Sequence, residues 1–364
     1  MSLRSVGSRL YNGETEIDFI GRWKRWFAIS GVVILIGLAG LAVRGLNLGI
    51  DFKGGVAWQA PIGHGSVADV RSAVEGAGLT APTVQSVGAG GKAQVRVQAK
   101  KVATPEANAK VEAAIKKATG ASTVSRTEVG PSWGSEISHK ALRALIVFLV
   151  LVSGYIALRF EWKMAVATLA ALVHDILITV GIYAVFGLPV TPATVIAFLT
   201  ILGYSIYDGI VVFDRVDENV KRSGAGGAAT YSTIVNESMN EVLMRTLNTS
   251  ITALLPILSL LVIGSLVLGA TSLEEFGTAL FIGLLSGAYS SIFIASPALA
   301  LLKEREGRWQ SIRRRLEGRG LGSETRLATA MAGTASGDTT VDVPAAANDR
   351  TAIQPRARKK GRRR

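Results

Sequence analysis

Residues 199–219 read LTILGYSIYDGIVVFDRVDEN, an apolar text of membrane length with an acid inside it. Its first half completes a run that begins near Pro192 and is long enough to cross a bilayer. Asp208 lies within that run, beside Tyr204, Ser205 and Tyr207. A carboxylate near the middle of a spanning helix costs roughly 2.5–3.5 kcal/mol on insertion scales, so by default it marks a working position. Asp214 and Arg215 read differently. The apolar run stops at Phe213, and these two fit a helix end that reaches the interface.

Working outward, 49% of the 364 residues are hydrophobic and the mean hydropathy is +0.35, too apolar for an ordinary soluble domain. Six segments approach the length needed to span a membrane: 26–43, 142–158, 164–186, 192–213, 247–266 and 276–302. The expected fold class is therefore an α-helical polytopic membrane protein with six transmembrane helices and a small α+β external domain. The expected organisation is an N-terminus over 1–25, a first span over 26–43, an external domain over 44–140, a bundle of five further spans over 141–302 and a basic tail over 303–364.

Orientation follows from the short loops. Arg4, Arg9, Arg22, Lys24 and Arg25 precede the first span, Arg159 and Lys163 separate spans two and three, and Arg215, Lys221 and Arg222 follow span four. Loops 187–191 and 267–275 carry no Lys or Arg. Both termini are expected in the cytoplasm. The long apolar core of span one, followed directly by Arg44, argues against a cleaved signal peptide.

The net charge of +13 raises the question of nucleic acid, but its distribution points elsewhere. From Lys303 onward there are sixteen Lys/Arg against seven Asp/Glu, a basic flank suited to anionic lipid rather than to a specific nucleic-acid site. After Arg319 the text degenerates into Ala, Thr, Gly and Asp and ends RARKKGRRR, which reads as disordered. There is no cysteine, and the three histidines (His64, His139, His174) are too scattered for a zinc site.

The external region reads β-α-β-β-α-β. Strands are expected at 55–60, 83–87, 93–99 and 122–129, with a helix capped by Ser66 and another opened by Thr104-Pro105-Glu106. That order suggests a ferredoxin-like unit. Residues 88–92 hold a glycine-rich hairpin turn that lacks the Walker pattern, so no ATP-using loop is present in the text. Any work must then draw on a partner or an ion gradient. No cofactor and no metal are expected, and H⁺ is the expected coupling ion.

Further polar groups lie in the spans. His174-Asp175 sits midway along span three. Arg245, Asn248, Thr249 and Thr252 share one face of span five, and such faces normally point into a bundle. Gly283 and Gly287, with Ser286, Ser290 and Ser291, read as a small-residue packing face. The loop 214–243 has a glycine-rich break at 223–227 and resumes as an interfacial helix from Tyr231, with Asn236, Glu237, Asn240 and Glu241 toward water. Asp208 and Arg245 lie toward the cytoplasmic half of antiparallel spans and form a plausible switch, since protonating the acid changes what the arginine pairs with.

Several stretches together carry a resemblance: LGIDFKGG (48–55), VGPSWGSEIS (129–138), LVHDILIT (172–179), residues 199–219, NESMNEVLMRTLNTSITALLP (236–256) and GAYSSIFIASP (287–297). They resemble the SecF family, the smaller membrane subunit of the bacterial SecDF protein-export accessory complex. The resemblance implies an RND-type half-transporter that pairs with SecD, associates with the SecY channel complex and uses the proton gradient to assist unfolded exported polypeptide across the plasma membrane. It implies that Asp208 and Arg245 form the proton-coupling pair. It also implies structural roles for Asp51, Gly54, Gly55, Gly130 and Pro131, and a second polar site at His174, Asp175, Asn248, Thr249 and Thr252. The family carries Asn-Asp-Thr where this chain has Tyr207-Asp208-Gly209. An efflux half-transporter of the same superfamily is the alternative, although it would want a larger external domain. An intramembrane aspartyl protease would need a second catalytic acid, and span five offers Arg245 instead.

Overall fold

The computed structural model describes residues 17–87, 93–100, 104–223, 227, 229–268 and 270–318. The glycine turn at 88–92, Arg4 and Arg9, residues 224–226 of the glycine-rich break and the tail from Arg319 lie outside the described residues. In chain order come α1 (Trp23–Arg44), β1 (Asn47–Leu48), α2 (Ile50–Lys53), β2 (Gly55–Pro61), α3 (Val67–Gly76), β3 (Thr83–Val87), β4 (Gln94–Ala99), α4 (Pro105–Thr119) and β5 (Ser125–Val129). Then follow α5 (Pro131–Arg159), α6 (Trp162–Phe186), β6 (Pro189–Val190), α7 (Pro192–Ser223) and α8 (Tyr231–Leu261), which continues into a π-type turn at Val262–Val267. Last come α9 (Thr271–Ser290), a second π-type turn at Ser291–Ala295, α10 (Ser296–Lys303) and α11 (Gly307–Gly318).

Among the described residues, six helices are long and apolar enough to cross a membrane: Trp23–Arg44, Ser132–Arg159, Trp162–Phe186, Pro192–Ser223, Tyr231–Gly264 and Thr271–Lys303. Glycine decides how closely they approach. A Cβ on Gly37 of α1 would lie 2.7 Å from the Cα of Gly181 on α6, so the two backbones touch. A Cβ on Gly283 of α9 would collide with Ile201 on α7, and one on Gly287 would lie 3.3 Å from Ser205 Cβ. The small-residue face of span six is thus spent against α7.

The external domain is built as its residue pattern demands. Ser66 and Asp69 form a capping box on α3 (Ser66 N to Asp69 Oδ2 2.7 Å, Asp69 N to Ser66 Oγ 3.2 Å), and those bonds hold the Asp69 carboxyl below its ordinary range. Thr104 caps α4, Pro105 opens it, and Gly120 in the left-handed region closes it. The sheet is antiparallel in the order β3-β4-β2-β5, the ferredoxin-like arrangement. One face buries Val56, Trp58, Ala60, Val84, Val95 and Val97 against Val70, Val74, Val111 and Ile115 of the two helices.

The other face sits on the bundle. Arg96 of β4 forms a buried ion pair with Glu275 of α9, and Glu275 also accepts from Thr191 Oγ1 at 2.8 Å. Gln85 and Asn47 both donate to the carbonyl of Gly187, at 3.3 and 3.1 Å. Beside them β1 and β6 pair in parallel, Asn47 opposite Pro189 and Leu48 opposite Val190.

Three elements differ from the sequence-based expectation. The interfacial helix from Tyr231 and the fifth span are one helix of 31 residues, because no breaker interrupts the text between them. Its polar side chains do not face water as expected. Asn236 accepts from the amides of Phe19 and Ile20 (2.8 and 3.2 Å), buried Asn240 binds both backbone groups of Ile17, and Glu241 accepts from Arg215 and Asn219. Span two begins at Pro131 rather than near residue 142, since the polar first turns continue the same helix. Finally, the basic flank contains α11, whose Trp309, Ile312 and Leu316 are buried, with Trp309 edge-on to Tyr231 at 5.0 Å. Near it, Lys163 and Lys303 both reach Glu306 (2.9 and 3.2 Å); burial pushes that carboxyl up, but the two ammonium groups hold it below its usual range.

Gly55 has φ +135°, and a Cβ there would collide with the carbonyl of Ala99 on the neighbouring strand. Gly55→Ala is expected to destabilise the external domain by about 2 kcal/mol, within the range for strained backbone positions. Faster proteolysis of residues 44–130, with the bundle still intact, is the measurement that checks it.

Candidate functional site

Helix α7 carries two polar residues three apart, and they face different neighbours. Ser205 is buried between α6 and α9, whereas Asp208 is half-buried and accepts a hydrogen bond from Ser291 at the start of the second π-type turn. Tyr204 and Tyr207 point outward from the same helix. The next helix, α8, brings Arg245 near enough for its charge to act on Asp208, but the two form no ion pair. The Arg245 side chain is exposed, as are Asn248, Thr249 and Thr252 one and two turns on.

These four residues lie on the outer surface of the bundle, not in its interior as the sequence pattern suggested. The Thr249 and Thr252 hydroxyls bond back to the carbonyls of Arg245 and Asn248, at 2.8 and 2.6 Å. Pro256, inside α8, removes the amide that would have bonded the Thr252 carbonyl. Asn248, Thr249, Thr252 and Pro256, with Thr200 and Tyr204, line an open cleft of about 610 Å³ along α7 and α8. The Arg245 and Asn248 side chains keep this outward surface polar, and lipid offers such groups no hydrogen-bond partner.

His174 and Asp175 are separate from that face. Both are buried, Asp175 at 1% exposure. The Asp175 carboxylate accepts from Ser205 (2.7 Å), Ser286 (2.8 Å) and Ser290 (2.8 Å), and His174 Nδ1 lies 3.1 Å from it. His174 Nε2 reaches Ser30 Oγ of α1 at 3.1 Å. Three spans therefore meet at one acid, and His174 ties in a fourth. The sequence pattern groups Asn248, Thr249 and Thr252 with His174 and Asp175 in one polar site; the tertiary structure separates them.

The serines were missed as acid partners. Ser286 and Ser290 had been read as packing residues, yet their spacing of four already puts two hydroxyls on one helix face toward a buried carboxylate. The motif residues cluster elsewhere, where the chain leaves and re-enters the bundle. Asp51 is in the first turn of α2, Gly54 ends that helix at φ +71° and Gly55 opens β2. Gly130 precedes Pro131 at the start of α5, and a Cβ on Gly134 would lie 2.7 Å from the Phe52 carbonyl.

With this geometry in place, comparison with known proteins is specific. The family model "Protein export membrane protein SecD/SecF, C-terminal" matches residues 110–305, and the "SecD/SecF GG Motif" matches residues 39–56, the stretch ending in Gly54-Gly55. A protein translocase subunit SecF from Streptomyces coelicolor is 44% identical over 86% of this chain and 84% of its own length. The SecF of Mycobacterium tuberculosis is 38% identical over 82% of this chain and 70% of its length. Among solved structures, SecDF from Thermus thermophilus, described as a translocon-associated membrane protein, superposes with a TM-score of 0.72 at 32% identity over 80% of this chain. This chain spans 39% of that longer one. Helix count, the four-stranded external sheet, the glycine motif and the relatives agree: the chain belongs to the SecF family of protein translocase subunits, multi-pass membrane proteins with the six-helix, RND-type half fold.

Proposed function

We propose that this chain is the SecF half of a proton-driven export accessory complex in the bacterial plasma membrane, with both termini in the cytoplasm. It pairs with SecD, associates with the SecY channel complex and helps draw unfolded polypeptide across the membrane without enzymatic chemistry or a cofactor. The observation that carries this reading is the half-buried Asp208, in reach of the Arg245 charge and set against the exposed polar face of α8. An acid at that depth suits proton uptake and release, and the polar face supports a second bundle covering it. Arg22, Lys24, Arg25, Arg159, Lys163, Lys221 and Arg222 on one side favour the cytoplasmic orientation, and the basic flank suits anionic lipid there. A small-molecule efflux role is less well supported, since the external domain is filled by its own core around Trp58.

Two measurements test this reading. In membrane vesicles, export completed after ATP is exhausted should depend on the proton gradient and on this chain. A photo-crosslinker at Thr252, on the open face, should capture SecD in native membranes, whereas one at Leu158, exposed at the end of a different helix, α5, should not. Equal capture at both positions contradicts the assigned interface.

A further inference from the structure

Ser290 is the last residue of α9, and Ser291 opens the π-type turn that follows. Adjacent in sequence, they serve different acids. Ser290 donates to Asp175 Oδ2 on α6 at 2.8 Å, and Ser291 donates to Asp208 Oδ2 on α7. The turn is closed by fully buried Ser296, whose hydroxyl donates to the Ser291 carbonyl at 3.0 Å. Single π-type turns inside α-helices frequently mark functional positions, where the helix departs from its ordinary hydrogen-bond register.

The two acids are held differently. Asp175 meets Ser286 and His174 at Oδ1 and Ser205 and Ser290 at Oδ2, which occupies the four acceptor positions a carboxylate offers. His174 extends the network to Ser30 on the first span, and Tyr289, which receives from Ser30 at 3.2 Å, donates to the Trp26 carbonyl at 3.1 Å. Asp208 has Ser291, with Thr246 and the Arg245 charge nearby, and it borders the open face. One acid is fixed and the other is free to respond. A carboxylate only accepts from a hydroxyl, whereas a protonated acid also donates, so protonating Asp208 allows the Ser291 bond to reverse.

We propose that Asp175 and Ser290 are positioning residues of the coupling machinery. Ser290 anchors the sixth span on Asp175, and the adjacent Ser291 step senses Asp208 and transmits its state to the third and first spans. This rests on Asp208 being the proton-coupling group. The titratable and charged groups around the step are Asp208, Tyr204 and Tyr207 on the fourth span, His174 and Asp175 on the third, Arg245 on the fifth and Tyr289 on the sixth; the first span presents Ser30.

The test uses the intact complex in vesicles and reads the pH midpoint of gradient-driven export, normalised to assembled complex. Ser291→Ala removes a donor from Asp208 and should move the midpoint upward by about half a pH unit or more, a threefold change in proton affinity. Ser290→Ala removes a donor from Asp175 and a bond to the Gly287 carbonyl of its own helix, and leaves the donor to Asp208 in place, yet it should move the same midpoint by a comparable amount. Thr168→Ala removes a buried hydroxyl that serves its own helix and should leave the midpoint in place. If Ser290→Ala does not assemble, Ser290→Cys keeps the volume and carries the test. A silent Ser290 variant, or equal shifts from Ser290 and Thr168, overturns the proposal. Full gradient-driven activity of Asp208→Asn would instead overturn the reading on which it rests.

Discussion

Asp208→Asn is expected to abolish gradient-driven stimulation of export while the amount of assembled complex stays the same. The amide has nearly the volume of the carboxyl, and its oxygen can still accept the Ser291 hydroxyl, so packing of α7 against α9 survives. What is lost is the ability to gain and release a charge inside the bundle. The loss should be at least about tenfold, bringing the rate to its level without a gradient. Asp208→Glu restores a titratable group one methylene further out and should recover part of the activity. Arg245→Met should fail as Asp208→Asn does, because Asp208 then lacks the Arg245 charge that acts on it. Arg245 is exposed on the bundle surface and unpaired with Asp208, so its removal breaks no ion pair among the described residues. A purely structural role predicts loss of complex instead, and the normalised vesicle assay separates the two outcomes.

Breaking the Arg96–Glu275 pair is expected to release the external domain from the bundle. Both side chains are below 8% exposed, at 7% and 6%, and they join residues far apart in the chain. Removing one partner leaves a buried charge without its mate, which typically costs about 3–5 kcal/mol, whereas replacing both by apolar groups is often neutral. Arg96→Met alone and Glu275→Met alone should therefore each undock the sheet face, and the double variant should recover much of the docking. The absence of cysteine makes the measurement direct. A bis-maleimide crosslink between cysteines placed at positions 85 and 186, beside the hydrogen bond of 3.3 Å from the Gln85 side chain to the Gly187 carbonyl, should form quickly in the parent and in the double variant, and slowly in either single variant. Equal rates in all four would show that the pair does not hold the domain.

Much of this protein was legible in its sequence, for a physical reason. Each span needs about twenty apolar residues, and each strand of the external sheet alternates, so composition and period alone mark the six helices and the β-α-β-β-α-β order. Asp208 could be found because a charge at that depth is costly wherever the helix faces. Gly54 and Gly55 stood out as a motif, and their positive φ values explain the requirement. Facing directions were not legible. The Arg245, Asn248, Thr249 and Thr252 face looked inward by rule, yet only the packing of α7 and α9 leaves it on the outside, open to a partner. Ser286, Ser290 and Ser291 are small residues in either role; the crossing of α6, α7 and α9 turned them into ligands of two carboxylates. Arg96 and Glu275 carry no local signal at all. They lie on different elements of different domains, and their pairing depends on how the sheet is set down on the bundle, a property of the tertiary structure alone.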